Sequence, residues 1–140
     1  MQVSIILPTY NEKKNILLLV NSIKKQLKNY NLEIIIVDDK SPDETGLICK
    51  KKFLKNRNII VLINKYRIGL AKSIHEGIKV AKKKKIIVMD TDFTHDPILI
   101  PKMLRLSKEY NIISGSRYCS GGYMENQIHS HLSYFYNLVL

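Results

Sequence analysis

The chain has 140 residues, enough for one domain with a buried core, and 45% of them are hydrophobic. It carries 23 Lys and Arg against 12 Asp and Glu, and the net charge of +11 favours anionic partners such as nucleotides, lipid phosphates or a membrane surface. Cys49 and Cys119 have no metal-ligand spacing and are expected to be free thiols. Because no signal peptide or bilayer-spanning stretch is found, we expect a cytoplasmic protein, either free or peripheral on the cytosolic face of a membrane.

Predicted strands and helices alternate along the chain. Hydrophobic runs predict strands at residues 3–7, 33–37, 58–63, 85–89 and 111–114, and helical spacing of apolar residues predicts helices at 15–28 and 70–81. A further helix is predicted from Ser41 to about Leu54, with Pro42 at its first position and Glu44 completing a capping box. Asp96 and Pro97 predict a helix to about Tyr110. This order indicates an α/β fold with a mostly parallel sheet, and a single domain over residues 1–140.

The fourth predicted strand ends on two acids. Residues 86–92 (IIVMDTD) read as a buried strand followed by Asp90 and Asp92. Side chains two residues apart in an extended segment point the same way, so both carboxylates can face one point beyond the carboxyl end of the strand. Such oxygen ligands suit Mg²⁺ or Mn²⁺ beside substrate phosphates, although a solvated acidic turn would have the same spacing.

Two more polar loops follow predicted strands. Residues 8–12 (PTYNE) follow the first strand, and Asp38 and Asp39 follow the second. Ligands of open α/β sheets bind at the carboxyl ends of strands, so one crevice could hold all three loops. Carboxylates alone would repel a nucleotide, whereas a bound divalent cation would reverse the sign of the local charge.

Several other functions lack their motifs. The chain has no GxGxxG after its first strand, no GxxxxGK[ST] and no GxSxG. Its four histidines, His75, His95, His129 and His131, show no zinc spacing. Nucleic-acid binding would rest on charge alone, because no helix-turn-helix, zinc finger or RNP signature occurs. We therefore expect no nucleic acid among the partners.

Five segments together resemble the inverting family 2 glycosyltransferases of GT-A fold, and most closely the group of dolichol-phosphate mannosyltransferases and polyprenyl-phosphate glycosyltransferases. They are residues 3–12, 34–45 (IIIVDDKSPDET), 69–71 (GLA), 89–97 (MDTDFTHDP) and 115–118 (GSRY), in the family's order and spacing. The resemblance implies a three-layer GT-A fold with a mostly parallel central sheet.

The resemblance also implies roles for individual residues. The nucleotide-sugar site would comprise Pro8, Tyr10, Glu12, Asp38, Asp39, Arg67, Asp90 and Arg117. Asp39 would lie near the base and ribose, Asp90 and Asp92 would hold the metal on the diphosphate, and Arg117 would approach the phosphates. Asp90, Asp92 and Arg117 would be the catalytic residues.

The chain departs from the family pattern in its last third. Thr94 stands where the family often has Gln, Gln127 where it usually has Trp, and Tyr134 where it has Arg. His129 and His131 occupy the family's basic region. The family's elements beyond this point are missing, so we expect an intact donor half and a short or missing acceptor part.

The implied reaction moves a sugar, most readily mannose or glucose, from GDP-mannose or UDP-glucose to a polyprenyl phosphate with inversion. A hydroxyl acceptor in glycan or polysaccharide synthesis is the first alternative, and it would require a general base. The second is a truncated module that binds a nucleotide sugar without turnover.

Overall fold

The computed structural model describes residues 1–116. Its elements, in chain order, are β1 (Gln2–Thr9), α1 (Ile16–Gln26), β2 (Asn31–Asp38), α2 (Thr45–Phe53), β3 (Ile59–Ile63), α3 (Leu70–Val80), β4 (Lys85–Val88), a 3₁₀ turn (Pro97–Leu99) and α4 (Ile100–Leu106). The chain divides into two compact units, Met1–Leu104 and Arg105–Leu140. The first unit contains the whole sheet. No helix within residues 1–116 is both long and apolar enough to cross a membrane.

The four strands form one parallel sheet in the order β3-β2-β1-β4. The two central strands are buried almost throughout, as expected for a sheet covered on both faces. Side chains of β1 alternate between the faces: Ile5 packs with Ile16 of α1 and Cys49 of α2, and Ile6 packs towards Val80 of α3. The predicted parallel α/β architecture is therefore confirmed.

Gly77 allows α3 to pack closely on the sheet. A Cβ atom at this position would lie 2.5 Å from Cγ2 of Ile6 and 3.2 Å from Cγ2 of Val37. Gly77 lowers the helical propensity of the segment, but its missing side chain makes room for two buried residues of the central strands.

Pro8 lies inside β1, although the sequence placed it after the strand. It pairs in register with Val37 of β2. The ladder between β1 and β4 ends at Ile6 and Val88, so the missing amide of Pro8 breaks no bond to β4.

The start of α2 was predicted wrongly. The helix begins at Thr45, and Ser41 does not cap it because its hydroxyl bonds to Asp38 instead. The amide of Thr45 donates to Oδ1 of Asp43 over 3.0 Å. Glu44 completes no capping box: it has a φ of +67° and makes no capping bond. The loop after β2 therefore runs three residues longer than the capping pattern predicts.

Two predictions in the later part also need correction. Residues 111–114 form no strand, and the helix after Asp96 ends at Leu106, although the Asp96 carboxylate does accept the Ile98 amide as predicted for a cap. Strand β4 was predicted to be buried, yet Ile86 and Val88 are 44% and 39% exposed. Within residues 1–116 this strand forms an edge of the sheet, so one face of it lacks cover.

Candidate active site

The loops after β1 and β2 are joined at the carboxyl edge of the sheet. Backbone amides of residues 11, 12 and 13 donate to side chains of the second loop, over 3.0 Å to Oγ of Ser41, 3.0 Å to Oγ1 of Thr45 and 3.1 Å to Oδ2 of Asp43. The side chain of Glu12 accepts a hydrogen bond of 2.9 Å from the side-chain amide (Nδ2) of Asn15, at the start of α1. Glu12, predicted to line the nucleotide pocket, thus also supports the start of this helix.

Asp38 is buried and its carboxylate is engaged within its own loop. Oδ1 accepts the hydroxyl of Ser41 over 2.5 Å, and Oδ2 accepts the Ser41 amide over 3.1 Å. A Cβ atom on Gly46 would lie 2.7 Å from Cγ of Asp38, so the carboxylate fits here only against a glycine. Asp38 therefore shapes the loop after β2.

Asp39 holds the next loop, residues 64–69, which we call the Arg67 loop. Its carboxylate accepts the amides of Ile68 and Gly69, each over 2.8 Å, and Nδ2 of Asn64 over 3.0 Å. Burial raises the pKa of Asp39, but these bonds and the Ser73 hydroxyl outweigh it, so the pKa is held below its usual value. Asp39 is therefore an ionised anchor, and much of its accepting capacity is used by the protein.

Tyr10 and Arg67 are brought together by these two loops. The guanidinium carbon of Arg67 lies 4.0 Å from the centroid of the Tyr10 ring, a cation–π distance. Tyr10 is 37% exposed, and Arg67 is exposed as well. Stacking uses the face of the guanidinium, so its in-plane N–H groups keep their capacity to bind an anion.

Asp90 and Asp92 lie in the loop after β4, the strand that neighbours β1. The Asp90 amide donates to Nδ1 of His95 over 3.0 Å, and Nε2 of the same ring lies 3.7 Å from Oδ2 of Asp90. Oδ1 of Asp92 accepts both the hydroxyl and the amide of Thr94, over 2.6 and 2.9 Å. Burial raises the pKa of Asp92, but the bonds from Thr94 outweigh it and keep the pKa low.

The two carboxylates have the chemistry of a divalent-metal site, with a limit. Among residues 1–116 no group of three or more His, Cys, Asp and Glu side chains could hold a metal ion. A cation held by Asp90 and Asp92 would therefore need further oxygen ligands from water or substrate, which is the usual arrangement for Mg²⁺ with phosphates. Arg117, the remaining predicted site residue, lies outside the described residues.

Backbone strain is concentrated in these loops. Among residues 1–116, four non-glycine residues have positive φ angles between 60° and 67°: Asn11, Lys40, Glu44 and Phe93. Each lies in a loop at the carboxyl edge. Such conformations persist where the surrounding contacts fix them, and they are enriched at functional sites.

Sequence reasoning missed three residues that support the site. Asn64 and Ser73 bond with the Asp39 anchor, and His95 contacts Asp90. Asn64 directly follows the third strand, just as Asp38 and Asp90 directly follow the predicted second and fourth strands. Its position at the end of a strand could therefore have marked it as a site residue. Ser73 carried none, because a buried serine in a helix is common.

A cavity of about 360 Å³ lies at the opposite, amino edge of the sheet. It is lined by residues at the end of α1 and the starts of β2 and β3, including Lys24, Lys28, Asn31 and Asn58. None of the predicted site residues lines it, so it is separate from the carboxyl-edge loops.

Comparison with known families decides the class of this chain. The pattern of the family described as Glycosyl transferase family 2 matches residues 4–138. The chain belongs to glycosyl transferase family 2. It is 39% identical over 128 residues to a dolichol-phosphate mannosyltransferase of Pyrococcus furiosus, covering 90% of this chain and 36% of that protein. An uncharacterized protein of Methanocaldococcus jannaschii is 33% identical over 142 residues, with 96% and 58% covered.

Solved structures agree on the fold. The mannosyltransferase PcManGT from Pyrobaculum calidifontis, in complex with GDP-Man and Mn²⁺, matches with a TM-score of 0.57 at 24% identity, over 64% of this chain and 27% of that one. TarS of S. aureus, residues 1–349, matches with a TM-score of 0.62 at 24% identity, over 84% and 40%. These GT-A glycosyltransferases confirm the fold class. The chain spans 36% and 58% of the length of the two curated relatives described above.

Proposed function

We propose that this chain is a metal-dependent inverting glycosyltransferase that transfers mannose or glucose from a nucleoside diphosphate sugar to a polyprenyl phosphate. The observation that carries the proposal is the loop after β4, where Asp90 and Asp92 follow the strand beside β1 in a family 2 chain. The dolichol-phosphate mannosyltransferase relative favours the lipid-phosphate acceptor.

The residues of the loop fit a hard divalent cation. Both candidate ligands are carboxylates, the low pKa of Asp92 keeps that group ionised, and the loop is open to solvent. Asp90 and Asp92 would hold Mg²⁺ or Mn²⁺, which when bound supplies positive charge to the diphosphate. PcManGT was solved with both GDP-Man and Mn²⁺, which supports a divalent cation without choosing between the two metals.

The protein's own residues would divide the remaining work. Tyr10 and Arg67 would form one wall of the nucleotide site, with Pro8 and Glu12 nearby, and Asp39 would keep the Arg67 loop in place. Arg117 would approach the phosphates. An acceptor phosphate is anionic at neutral pH, so its oxygen can attack the anomeric carbon while the C–O bond to the nucleoside diphosphate breaks, with no base needed.

A transfer assay tests this proposal. We expect the chain, with Mn²⁺ and GDP-mannose or UDP-glucose, to move the sugar onto a short polyprenyl phosphate and to give an inverted linkage. The asparagine variant of Asp92 should lose this activity, whereas Asp96→Asn should keep it, because asparagine can also accept the Ile98 amide. Transfer only to hydroxyl acceptors would contradict the proposed acceptor, and donor binding without any transfer would favour a binding module.

A membrane surface is the proposed location of the acceptor. Binding would be peripheral, on the cytosolic face, and driven by attraction between basic side chains and anionic lipids.

A further inference from the structure

We propose that Asn64 is a positioning residue of the nucleotide site: it fixes the Arg67 loop so that Arg67 stays stacked on Tyr10. This inference rests on the proposed donor-binding function and adds a residue to it. Asn64 itself contacts neither Tyr10 nor a substrate in this account.

The position of Asn64 lets it join three elements. Its amide donates to the carbonyl of Asp38 over 2.9 Å, which continues the β2–β3 ladder by one residue. Its side-chain nitrogen donates to Oδ1 of Asp39 over 3.0 Å and to Oγ of Ser73 over 3.3 Å. The end of β2, the start of the Arg67 loop and the first turn of α3 therefore meet at one amide group.

The far end of the loop depends on the same carboxylate. Ile68 and Gly69 donate their amides to Asp39, and Gly69 has a φ of +87°, which an L-residue rarely adopts. Both ends of the loop are thus tied to Asp39, and only residues 65–67 between them lack these bonds. Asp39 is 5% exposed and Ser73 is 1% exposed, so water competes little for these bonds.

The loop needs this support because its functional contact is weak. A cation–π pair at an exposed position stabilises only weakly, too little to order a loop of six residues. The arginine can be held over Tyr10 only if the backbone on either side is fixed. Removal of the Asn64 side chain takes away one of the hydrogen-bond donors to Oδ1 of Asp39, so the Asp39 carboxylate can shift.

A double-mutant cycle on nucleotide binding tests the inference. The probes are GDP and UDP, each in the presence of Mn²⁺, and the readout is the dissociation constant by calorimetry. We expect Asn64→Ala and Arg67→Ala each to weaken binding about fivefold. The double variant should be no weaker than Arg67→Ala alone, because Asn64 acts through Arg67. Losses that multiply, or an unchanged affinity in the Asn64 variant, would overturn the proposal.

Amide hydrogen exchange separates this inference from the proposed function, because it needs no ligand. The Asn64 variant should exchange the amides of residues 68 and 69 faster, with no change at β1. Asn31→Ala, an exposed asparagine at the amino edge, is the matched control and should alter neither exchange nor binding. Unchanged exchange at 68 and 69 would contradict the positioning role. If the unmutated chain bound neither nucleotide, the donor-site proposal would fail. Faster exchange in the Asn64 variant would then show only that Asn64 stabilises the Arg67 loop.

Discussion

Asp38 and Asp39 are neighbours in the sequence but serve different loops. Asp38 is bonded to Ser41 within its own loop, whereas Asp39 reaches across to Asn64, Ile68 and Gly69. The resemblance placed Asp39 near the base and ribose. That role stays a prediction, and the bonds in the structure show in addition that Asp39 holds the Arg67 loop.

The low pKa of Asp39 predicts an acid-sensitive contribution to stability. Because the folded pKa lies below the ordinary value of 3.8, the contribution is fully present above pH 3.8 and is lost as the pH falls through the folded pKa. We expect Asp39→Asn to lower the free energy of unfolding by about 1–3 kcal/mol at pH 7, since it faces two amide donors with a weaker acceptor. The difference should shrink as the pH falls below 3.8.

Urea unfolding of both proteins between pH 7 and pH 3 would measure this effect. Glu44→Gln serves as a control, because Glu44 is exposed and makes no capping bond. A penalty for the Asp39 variant that stays constant down to pH 3 would show that the ionised form is not what holds the loop.

At the scale of elements, the packing of α3 depends on one missing methyl group. Alanine favours a helix over glycine by about 1 kcal/mol, so propensity alone predicts that Gly77→Ala stabilises the chain. The 2.5 Å approach to Ile6 predicts the opposite, because β1 is central and cannot move away. We expect a net loss of about 1–3 kcal/mol, as for other overpacked cores.

Thermal unfolding of Gly77→Ala against Lys72→Ala would check this expectation. Lys72 is exposed on the same helix, so its alanine variant reports propensity without a clash. A Gly77 variant that is as stable as the chain itself would mean that α3 can shift on the sheet.

Periodicity predicted the sheet well and the loops poorly. The four strands and helices α1 and α3 were found because apolar residues at strand or helical spacing are buried whatever lies at their ends, whereas α2 was found from a capping pattern that misplaced its start. The start of α2 was missed because the Ser41 side chain can either cap a helix or bond within its loop. In the structure its hydroxyl donates to Asp38, three residues earlier, so it does not cap the helix. The exposed side of β4 could not be read from its apolar composition, because exposure depends on neighbouring elements.

For the candidate site as well, the sequence predicted which loops meet but not their conformations. Placing polar loops at the carboxyl edge put Tyr10, Asp39, Asp90 and Asp92 at one edge of the sheet, since parallel strands end at a common edge, whereas Arg67 was included only through the resemblance. The sequence could not show that Arg67 stacks on Tyr10, nor that Asp38 is used within its own loop. Both facts depend on loop conformations with positive φ angles, which composition does not specify.

At the scale of the whole molecule, charge is separated between the two edges of the sheet. Exposed lysines lie in or just after the last turns of three helices, towards the amino edge: Lys24, Lys25 and Lys28 for α1, Lys50, Lys51 and Lys52 for α2, and Lys79 and Lys82 for α3. Carboxylates outnumber basic side chains in the loops of the opposite edge. The two central strands, β1 and β2, are each about 25 Å long, well beyond the screening length at physiological salt.

This separation bears on how a diphosphate could bind. Most of the lysines that make the chain basic lie towards the amino edge, so they contribute less to the charge at the carboxyl edge than their number suggests. Arg67 and a few lysines lie in the right loops, but the carboxylates there offset them. A nucleoside diphosphate would therefore bind best with a cation held by Asp90 and Asp92, which is the central claim of the proposed function.

The most direct test is the thermal stability of the chain with GDP-mannose and with UDP-glucose, each measured with and without Mn²⁺. A ligand that binds only the folded state must raise the unfolding temperature. We expect a rise in the unfolding temperature that requires both the sugar nucleotide and Mn²⁺. This rise should be absent in Asp92→Asn and should persist in Asp96→Asn. The same metal-dependent rise in the Asp92 variant would contradict the account, as would a chain that is folded but shows no rise with any donor.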